Sequence, residues 1–142
     1  MPEPSPASAY DTPEAADRWA AGLSAFERSL LETVPPGARV LDLGSASGRA
    51  DAFLRERGCR VLSADLAHAM AKASRGIQAR AEALPFKNAS FDAVLLLKVL
   101  HLLPAQARRQ AHAEVLRVLT PGGLLAASVL CPAAVPPLGG AY

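Results

Sequence analysis

The sequence predicts an α/β protein with a doubly wound parallel sheet and helices on both faces, a three-layer α/β/α arrangement. Short apolar segments alternate with amphipathic ones along most of the chain. Parallel strands have this near-continuous apolar character because right-handed crossovers cover both faces of the sheet with helices. We expect about five strands, and the apolar runs place them at residues 39–43, 60–64, 77–81, 91–97 and 124–130.

Helices are predicted between these strands and ahead of the first one. The first helix is expected to run from Thr12, as its cap, to Val34, because apolar residues recur there at spacings of three and four. Pro13 suits the first helical position, and Pro35-Pro36-Gly37 ends the helix. The other helices are expected at residues 47–57, 67–74 and 104–119.

Length and composition indicate one globular domain. The chain has 142 residues, of which 51% are hydrophobic and 20% charged, enough for a single core. Residues 1–11 are rich in Pro, Ser and Ala and are expected to form a disordered tail. We expect the domain at residues 12–131 and a Pro/Gly-rich tail at 132–142.

Charge and cysteine content argue against several classes of protein. The net charge of +2 comes from 15 basic and 13 acidic residues without a run of like charge, so nucleic acid is not indicated as a partner. Cys59 and Cys131 lack any CxxC or Cys/His spacing, so neither a disulfide framework nor a metal site is indicated. The N-terminus does not resemble a secretory signal, and no apolar stretch reaches the roughly 18 residues of a membrane span. We therefore expect a cytoplasmic protein without a membrane partner.

The loop after the first predicted strand is typical of a ligand-binding turn. Gly44 permits a sharp turn, Gly48 lets the next helix pack closely, and N–H groups at the helix start can meet an anion such as an amino-acid carboxylate. Dinucleotide sites need G-x-G-x-x-G, but Ala46 and Arg49 occupy the second and third glycine positions. An NAD-dependent oxidoreductase is therefore disfavoured, whereas a nucleoside without phosphates fits. The loop alone is also compatible with a tight turn in another α/β protein.

The order Asp-x-Gly-x-x-x-Gly after a hydrophobic strand resembles the first motif of class I S-adenosylmethionine-dependent methyltransferases. The likeness is to the small-molecule type, related to the methyltransferase type 11 domain. It implies a Rossmann-like fold and S-adenosyl-L-methionine as the cofactor. It also implies that five residues of the motif bind the cofactor, namely Asp42, Gly44, Ser45, Ala46 and Gly48.

An acidic residue follows at the end of the second predicted strand. Asp65 lies 21 residues after Gly44, where an acidic side chain can accept hydrogen bonds from both ribose hydroxyls. The alternative is that Asp65 caps the next helix. The segment from Asp65 to Met70 also resembles the methyltransferase family, which implies that Leu66 lies against the adenine ring.

A longer stretch, from the third predicted strand through the fourth, resembles many small-molecule methyltransferases. The matching segments are residues 81–86, 91–94 and 99–104. The resemblance implies that the backbone at Ala81 and the neighbouring Glu82 hold the adenine edge, and Leu97 is placed with them among the cofactor-binding residues. Arg80 departs from the pattern, because the family usually has an aspartate there and arginine offers no acceptor to the adenine amino group.

No residue is assigned a catalytic role from the sequence. Methyl transfer needs mainly in-line positioning and a dry pocket, and a base only when the acceptor must lose a proton. His101 is a candidate base, but a core or capping histidine is the more frequent case at an apolar helix start. Lys98, at the end of the fourth strand, either faces the cofactor cleft or is an exposed charge at a helix start.

The C-terminal antiparallel strand pair of the resembled fold is expected to be missing, since the chain ends 12 residues after Leu130. The fifth strand is then expected to be an open apolar edge, where a homodimer or a partner chain can pair. Two functions stay open. One is a methyltransferase acting on a small-molecule methyl acceptor, and the other is a non-catalytic S-adenosylmethionine-binding accessory protein or a truncated remnant of a methyltransferase.

Overall fold

A computed structural model of the chain describes residues 11–12, 14, 22–46 and 48–130. The elements, in chain order, are α1 (Ala25–Leu31), β1 (Arg39–Leu43), α2 (Asp51–Glu56), β2 (Arg60–Asp65), α3 (His68–Ala73), β3 (Ile77–Gln78), β4 (Phe91–Leu97), a short 3₁₀ helix (Leu100–Leu102), α4 (Ala105–Val118) and β5 (Leu119–Ser128). The strands form one sheet in the order β3-β2-β1-β4-β5, and every pair of neighbours is parallel. The predicted doubly wound α/β fold is confirmed.

Apolar cores lie on both faces of the sheet, because successive strand residues point to opposite sides. Val40 and Leu95 face α1 and α2, whereas Leu41 and Leu96 face α4. All four side chains are fully buried or nearly so. The sheet is therefore the middle layer of the predicted α/β/α arrangement.

The first helix is shorter than the apolar spacing predicts. Gly22 to Ser24 are not helical, and Ser24 caps α1. The Ser24 hydroxyl accepts from the Glu27 N–H at 3.1 Å, and the Glu27 carboxylate accepts from the Ser24 N–H at 2.9 Å. This reciprocal capping box starts a helix at Ala25. The continuous helix predicted from Thr12 to Val34 is wrong at Gly22–Ser24 and beyond Leu31, and its residues 13 and 15–21 lie outside the described part.

The last strand begins five residues earlier than predicted and ends at Ser128. Leu119 already pairs with Phe91, and after a shift in register Leu124 pairs with Ala93. Pro121-Gly122-Gly123 precede the predicted strand but lie inside the observed one, where Gly122, with φ of 76°, absorbs the irregularity. Among the described residues, no strand pairs with the outer edge of β5.

The third strand is shorter than predicted, so the residues that follow it form an irregular segment. Only Ile77–Gln78 is strand, whereas residues 77–81 were predicted. The Ala79 N–H still donates to the Asp65 carbonyl at 2.9 Å, and Arg80 then pairs with Ala83 in an isolated antiparallel bridge. The chain therefore turns back on itself just past the end of β2.

The other helices lie close to their predicted positions. α3 and α4 agree within one residue at each end, whereas α2 begins four residues late because turns occupy Gly48 to Ala50. Cys59 is buried, as expected of a small apolar residue, and Cys131 lies outside the described residues. No helix in the described ranges is long and apolar enough to cross a membrane.

Candidate functional site

A cleft of about 510 Å³ opens across the carboxyl ends of the central strands. Its walls come from the loop after β1, the ends of β2 and β4, the segment after β3, and the first turns of α4. It lies where the strand order reverses between β1 and β4, the usual ligand position in such sheets. Seven of the ten predicted cofactor-binding residues line it: Gly44, Ala46, Asp65, Leu66, Ala81, Glu82 and Leu97.

The other three predicted residues, Asp42, Ser45 and Gly48, do not line the cleft. The Ser45 hydroxyl donates to the Ser74 hydroxyl at 3.1 Å, and a Cβ on Gly48 would lie 3.4 Å from Ser74. Both residues thus hold the β1 loop against the end of α3. Their direct contact with a cofactor stays a prediction.

The β1 loop turns sharply at Gly44, which has φ of 76°. A Cβ at this position would collide with the Val99 side chain, which packs directly against the loop, so only glycine fits. The Gly44 and Ser45 N–H groups both donate to the Ala64 carbonyl, at 2.7 and 3.1 Å. Ala46 also takes a left-handed conformation, with φ of 49°, at the position where a dinucleotide site has glycine.

The Asp65 carboxylate is fixed at the cleft wall by two backbone groups. Oδ2 accepts from the Ala46 N–H and Oδ1 from the Ala67 N–H, both at 3.0 Å. Burial raises the pKa of Asp65, and the backbone N–H donors offset only part of that rise. The N-cap of α3 is Ala67, not Asp65, so the capping role considered from the sequence is wrong. Asp65 instead ties the end of β2 to the β1 loop.

Asp42 is a carboxyl group sealed inside the sheet, 2% exposed. Burial raises its pKa to about 7, Arg49 acts against that rise, and the carboxylates of Asp65 and Asp51 add to it. The group is therefore partly protonated near neutral pH.

The segment after β3 brings an ion pair to the cleft. Arg80 Nη2 lies 3.2 Å from Glu82 Oε1, with the Arg80 side chain 64% exposed and that of Glu82 14% exposed. Both residues line the cleft, where the Glu82 carboxylate lies at the wall beside buried Ala81 and the Arg80 side chain is largely exposed to solvent. The arginine at the family's usual aspartate position pairs with the next acid along the chain.

Helix α4 anchors the segment after β3, and two of its glutamines, which the sequence analysis did not single out, line the cleft. Glu114 Oε2 accepts from the Leu84 N–H at 2.7 Å, and Arg117 donates to the Leu84 carbonyl at 3.0 Å. Gln110 and Gln106 lie one and two turns before Glu114 and line the cleft. Gln106, Gln110 and Glu114 follow one another at intervals of four residues, and this spacing was the signal available in the sequence.

A buried carboxylate from α1 lies behind the cleft wall, again unpredicted, and contacts two residues that line the cleft. Glu27 is 1% exposed, and its two oxygens lie 3.2 and 3.3 Å from the guanidinium nitrogens of Arg49. Lys98 Nζ lies 3.4 Å from Glu27 Oε1. Burial raises the pKa of Glu27, but the Ser24 N–H, Arg49 and Lys98 together hold it below its ordinary value. We call Glu27, Arg49 and Lys98 the charge cluster.

The two basic candidates after β4 differ in position. The sequence left two positions open for Lys98, one facing the cleft and one exposed at a helix start. Lys98 lines the cleft, which is the first of these. His101 does not line it; burial lowers the pKa of its imidazole, and its buried Nδ1 has no hydrogen-bond partner among the described residues. Of the two, only Lys98 is placed to meet a ligand.

The fold and the cleft define a Rossmann-like protein with an open cleft at the switch point of its sheet. Residues 41–127, more than half of the chain, match the methyltransferase domain family. The chain belongs to that family, as the motif after β1 implied.

Curated relatives support the same assignment. The chain is 36% identical over 112 residues to a malonyl-acyl-carrier-protein O-methyltransferase of Enterobacter lignolyticus, covering 74% of this chain and 44% of the relative. It is 34% identical over 112 residues to a demethylmenaquinone methyltransferase of Clavibacter sepedonicus, covering 72% of this chain and 44% of the relative. The chain therefore spans less than half the length of these two proteins.

Solved structures agree on the fold. An S-adenosylmethionine-dependent methyltransferase from Mesorhizobium loti superposes with a TM-score of 0.64 and 29% identity, covering 75% of this chain and 54% of that one. The Haloferax volcanii complex of the Trm112 methyltransferase activator with a methyltransferase candidate gives a TM-score of 0.66 and 26% identity, covering 72% and 50%.

Proposed function

We propose that the cleft binds S-adenosyl-L-methionine and that the chain forms the cofactor-binding part of a methyltransferase acting on a small-molecule acceptor. The observation that carries the proposal is the Asp65 carboxylate, held at the cleft wall by the N–H groups of Ala46 and Ala67. Each carboxylate oxygen has accepted one hydrogen bond and keeps capacity for another, so adjacent ribose hydroxyls find two oriented acceptors.

The remaining walls fit a nucleoside that carries an amino-acid tail and no phosphate. Leu66 and Ala81 offer apolar surface for a purine next to Asp65, and Gly44, which lacks a Cβ, lets the Val99 side chain pack against the β1 loop at the cleft wall. Ala46, in place of the second glycine, does not favour a pyrophosphate. The order along the strand ends is then purine at β3, ribose at β2 and amino acid at the β1 loop.

When bound, the cofactor supplies a sulfonium methyl group that is already electrophilic. The residues of the chain have the tasks of orientation and exclusion of water. Leu97 and Val99, at the end of β4, form an apolar wall beside the β1 loop, and Asp65 fixes the ribose. The two curated relatives are named for different acceptors, so they support methyl transfer without selecting an acceptor.

Calorimetric titration with S-adenosylhomocysteine tests the proposal. We expect the chain to bind it, and Asp65→Asn to weaken binding about 10- to 100-fold because a charged acceptor for the ribose is lost. Asp51→Asn is the matched control, because it removes the same charge at a residue that does not line the cleft. NAD⁺ should give no heat of binding at the same concentrations.

Turnover with tritium-labelled S-adenosylmethionine and a pool of small acceptors separates the two functions. Labelled product supports the enzyme, whereas binding without turnover supports the accessory protein. The absence of S-adenosylhomocysteine binding in a folded sample would contradict both.

A further inference from the structure

The strand order divides the cleft into two halves. The ends of β2 and β3 bring Asp65 and Glu82 to one side of β1, while the end of β4 brings Leu97 and Lys98 to the other side. With the ribose at β2 and the purine at β3, as the proposed function has them, the space at β4 is left for the methyl acceptor. Of the residues at the end of β4 that line the cleft, Lys98 is the charged one, and it lies near Arg49, which shares the Glu27 carboxylate with it.

Lys98 is held rigidly where it meets the cleft. Its backbone takes a left-handed conformation, with φ of 59°, that residues with a side chain rarely adopt. The Lys98 N–H donates to the Ser128 carbonyl at 2.9 Å and to the Ser128 hydroxyl at 3.1 Å, which fixes this conformation against β5. Strained backbone at the edge of a cleft is typical of functional positions.

The charge cluster leaves Lys98 with binding capacity. The carboxylate of Glu27 is already engaged on both oxygens by Arg49, and Lys98 Nζ shares only Oε1, at 3.4 Å. An ammonium group has three donors. Glu27 is the one acid within ion-pair distance of Lys98 in the described part of the chain, and the Lys98 side chain is 26% exposed. Lys98 can therefore accept a second anion from the cleft side.

Among the described residues, none that lines the β4 half of the cleft is a carboxylate or an imidazole. Beside Lys98 this half is lined by apolar side chains, and α4 adds the neutral amides of Gln106 and Gln110 to the cleft; the apolar residues are Leu97, Val99, Leu102 and Leu103. A phenol or a carbon acid must lose a proton as it attacks, which requires a base within reach. A carboxylic acid needs none, because its pKa of about 4 leaves it ionised at neutral pH.

We propose that the methyl acceptor is a carboxylate with an apolar chain, paired with Lys98 Nζ, and that the product is its methyl ester. A carboxylate oxygen forms the bond to the methyl carbon, the carbon–sulfur bond breaks, and its electron pair goes to sulfur. No proton moves. The ester is neutral and no longer pairs with Lys98, which favours its release.

The test uses the full chain saturated with S-adenosylhomocysteine. Octanoate and decanoate are titrated in, with octanol and decanol as neutral probes of matched length. We expect the carboxylates to bind at least about tenfold more tightly than the alcohols, and Lys98→Met to remove that preference. Lys87→Met is the control, because Lys87 is an exposed lysine near the amino end of β4, at the opposite end of the strand from the cleft. With labelled cofactor, octanoate should yield methyl octanoate.

The outcomes are separable. A chain that does not bind S-adenosylhomocysteine contradicts the proposed function itself. A chain that binds it but shows no preference for carboxylates, or keeps the preference in Lys98→Met, overturns the carboxylate inference alone. A third result also overturns it: Lys98→Met weakens S-adenosylhomocysteine but not 5′-methylthioadenosine, which lacks the amino-acid tail. Lys98 would then hold the carboxylate of the cofactor.

Discussion

Asp42 shows how a single buried carboxyl group sets the pH dependence of stability. Burial raises its pKa to about 7 in the folded chain. In an unfolded chain an aspartic acid titrates near pH 4, at about 3.9. Between these values the folded state holds a proton that the unfolded state has lost. The free energy of unfolding therefore falls as the pH rises through this window, and the full cost of the buried charge is present above it.

The substitution Asp42→Asn removes this titration and keeps the size of the side chain. We expect the free energy of unfolding of Asp42→Asn, relative to the wild type, to rise by about 2 to 3 kcal/mol between pH 5 and pH 8. Urea unfolding at four pH values measures it, and the difference cancels groups that titrate alike in both chains. A constant difference across the range would show that Asp42 does not titrate there.

The sequence located the site residues whose place depends on strand order. Asp65, Leu66 and Ala81 follow strands recognised by their apolar runs, and the carboxyl ends of parallel strands share one edge. Glu27 was missed because its place depends on how α1 packs against two distant segments. The left-handed backbone conformation of Lys98 could not be predicted from the sequence either, because the hydrogen bonds that hold it are accepted by Ser128 on another strand.

At the scale of elements, α1 shows why apolar spacing misplaced the first helix. Leu23, Phe26 and Leu30 continue the three- and four-residue spacing across the non-helical Gly22–Ser24. Phe26 is nevertheless 65% exposed, and Glu27 and Leu31 face the interior instead. The S-x-x-E pattern of the capping box was the better signal, because it fixes the start of the helix and hence the face that it buries.

A helix of seven residues is too short to be stable alone, so α1 depends on its cap and on the charge cluster. We expect Ser24→Ala to lower the free energy of unfolding by about 1 kcal/mol through loss of the cap. Glu27→Gln should cost more, about 3 kcal/mol, because it also leaves Arg49 and Lys98 without their shared carboxylate. Chemical denaturation measures both.

Ser29→Ala is the control for these variants, since Ser29 is exposed on the same helix and should change stability by less than about 0.5 kcal/mol. Equal costs for Ser24→Ala and Glu27→Gln would mean that Glu27 acts only as part of the cap, and that the charge cluster adds nothing to the docking of α1.

At the scale of the whole molecule, the fold was predictable because alternation of strand and helix admits few arrangements. The cleft joins segments that are far apart in the chain: the β1 loop, the end of β2, the segment after β3 and the end of β4. Hydrogen bonds join these segments in neighbouring pairs: the N–H groups of Gly44, Ser45 and Ala46 bond to the end of β2, and the Ala79 N–H donates to the Asp65 carbonyl. A ligand that touches all four segments would therefore join the carboxyl ends of the strands to one another and leave the amino ends unchanged.

Hydrogen exchange measures this asymmetry. With S-adenosylhomocysteine at about 100 times its dissociation constant, we expect the free energy of unfolding to rise by about 2.7 kcal/mol. Amides at the cleft, such as those of Ala46, Ala67 and Ala81, should slow even where they exchange by local opening. Amides near the amino ends of the strands, such as those of Ala89 and Ser90, which donate to the Arg117 and Val118 carbonyls at the end of α4, should slow only through the global term. Asp65→Asn at the same ligand concentration should show less of both effects. A ligand bound at the carboxyl ends of the strands acts first on the segments that it joins. Equal slowing at the carboxyl and amino ends of the strands would therefore show that the ligand stabilises the domain without closing the cleft.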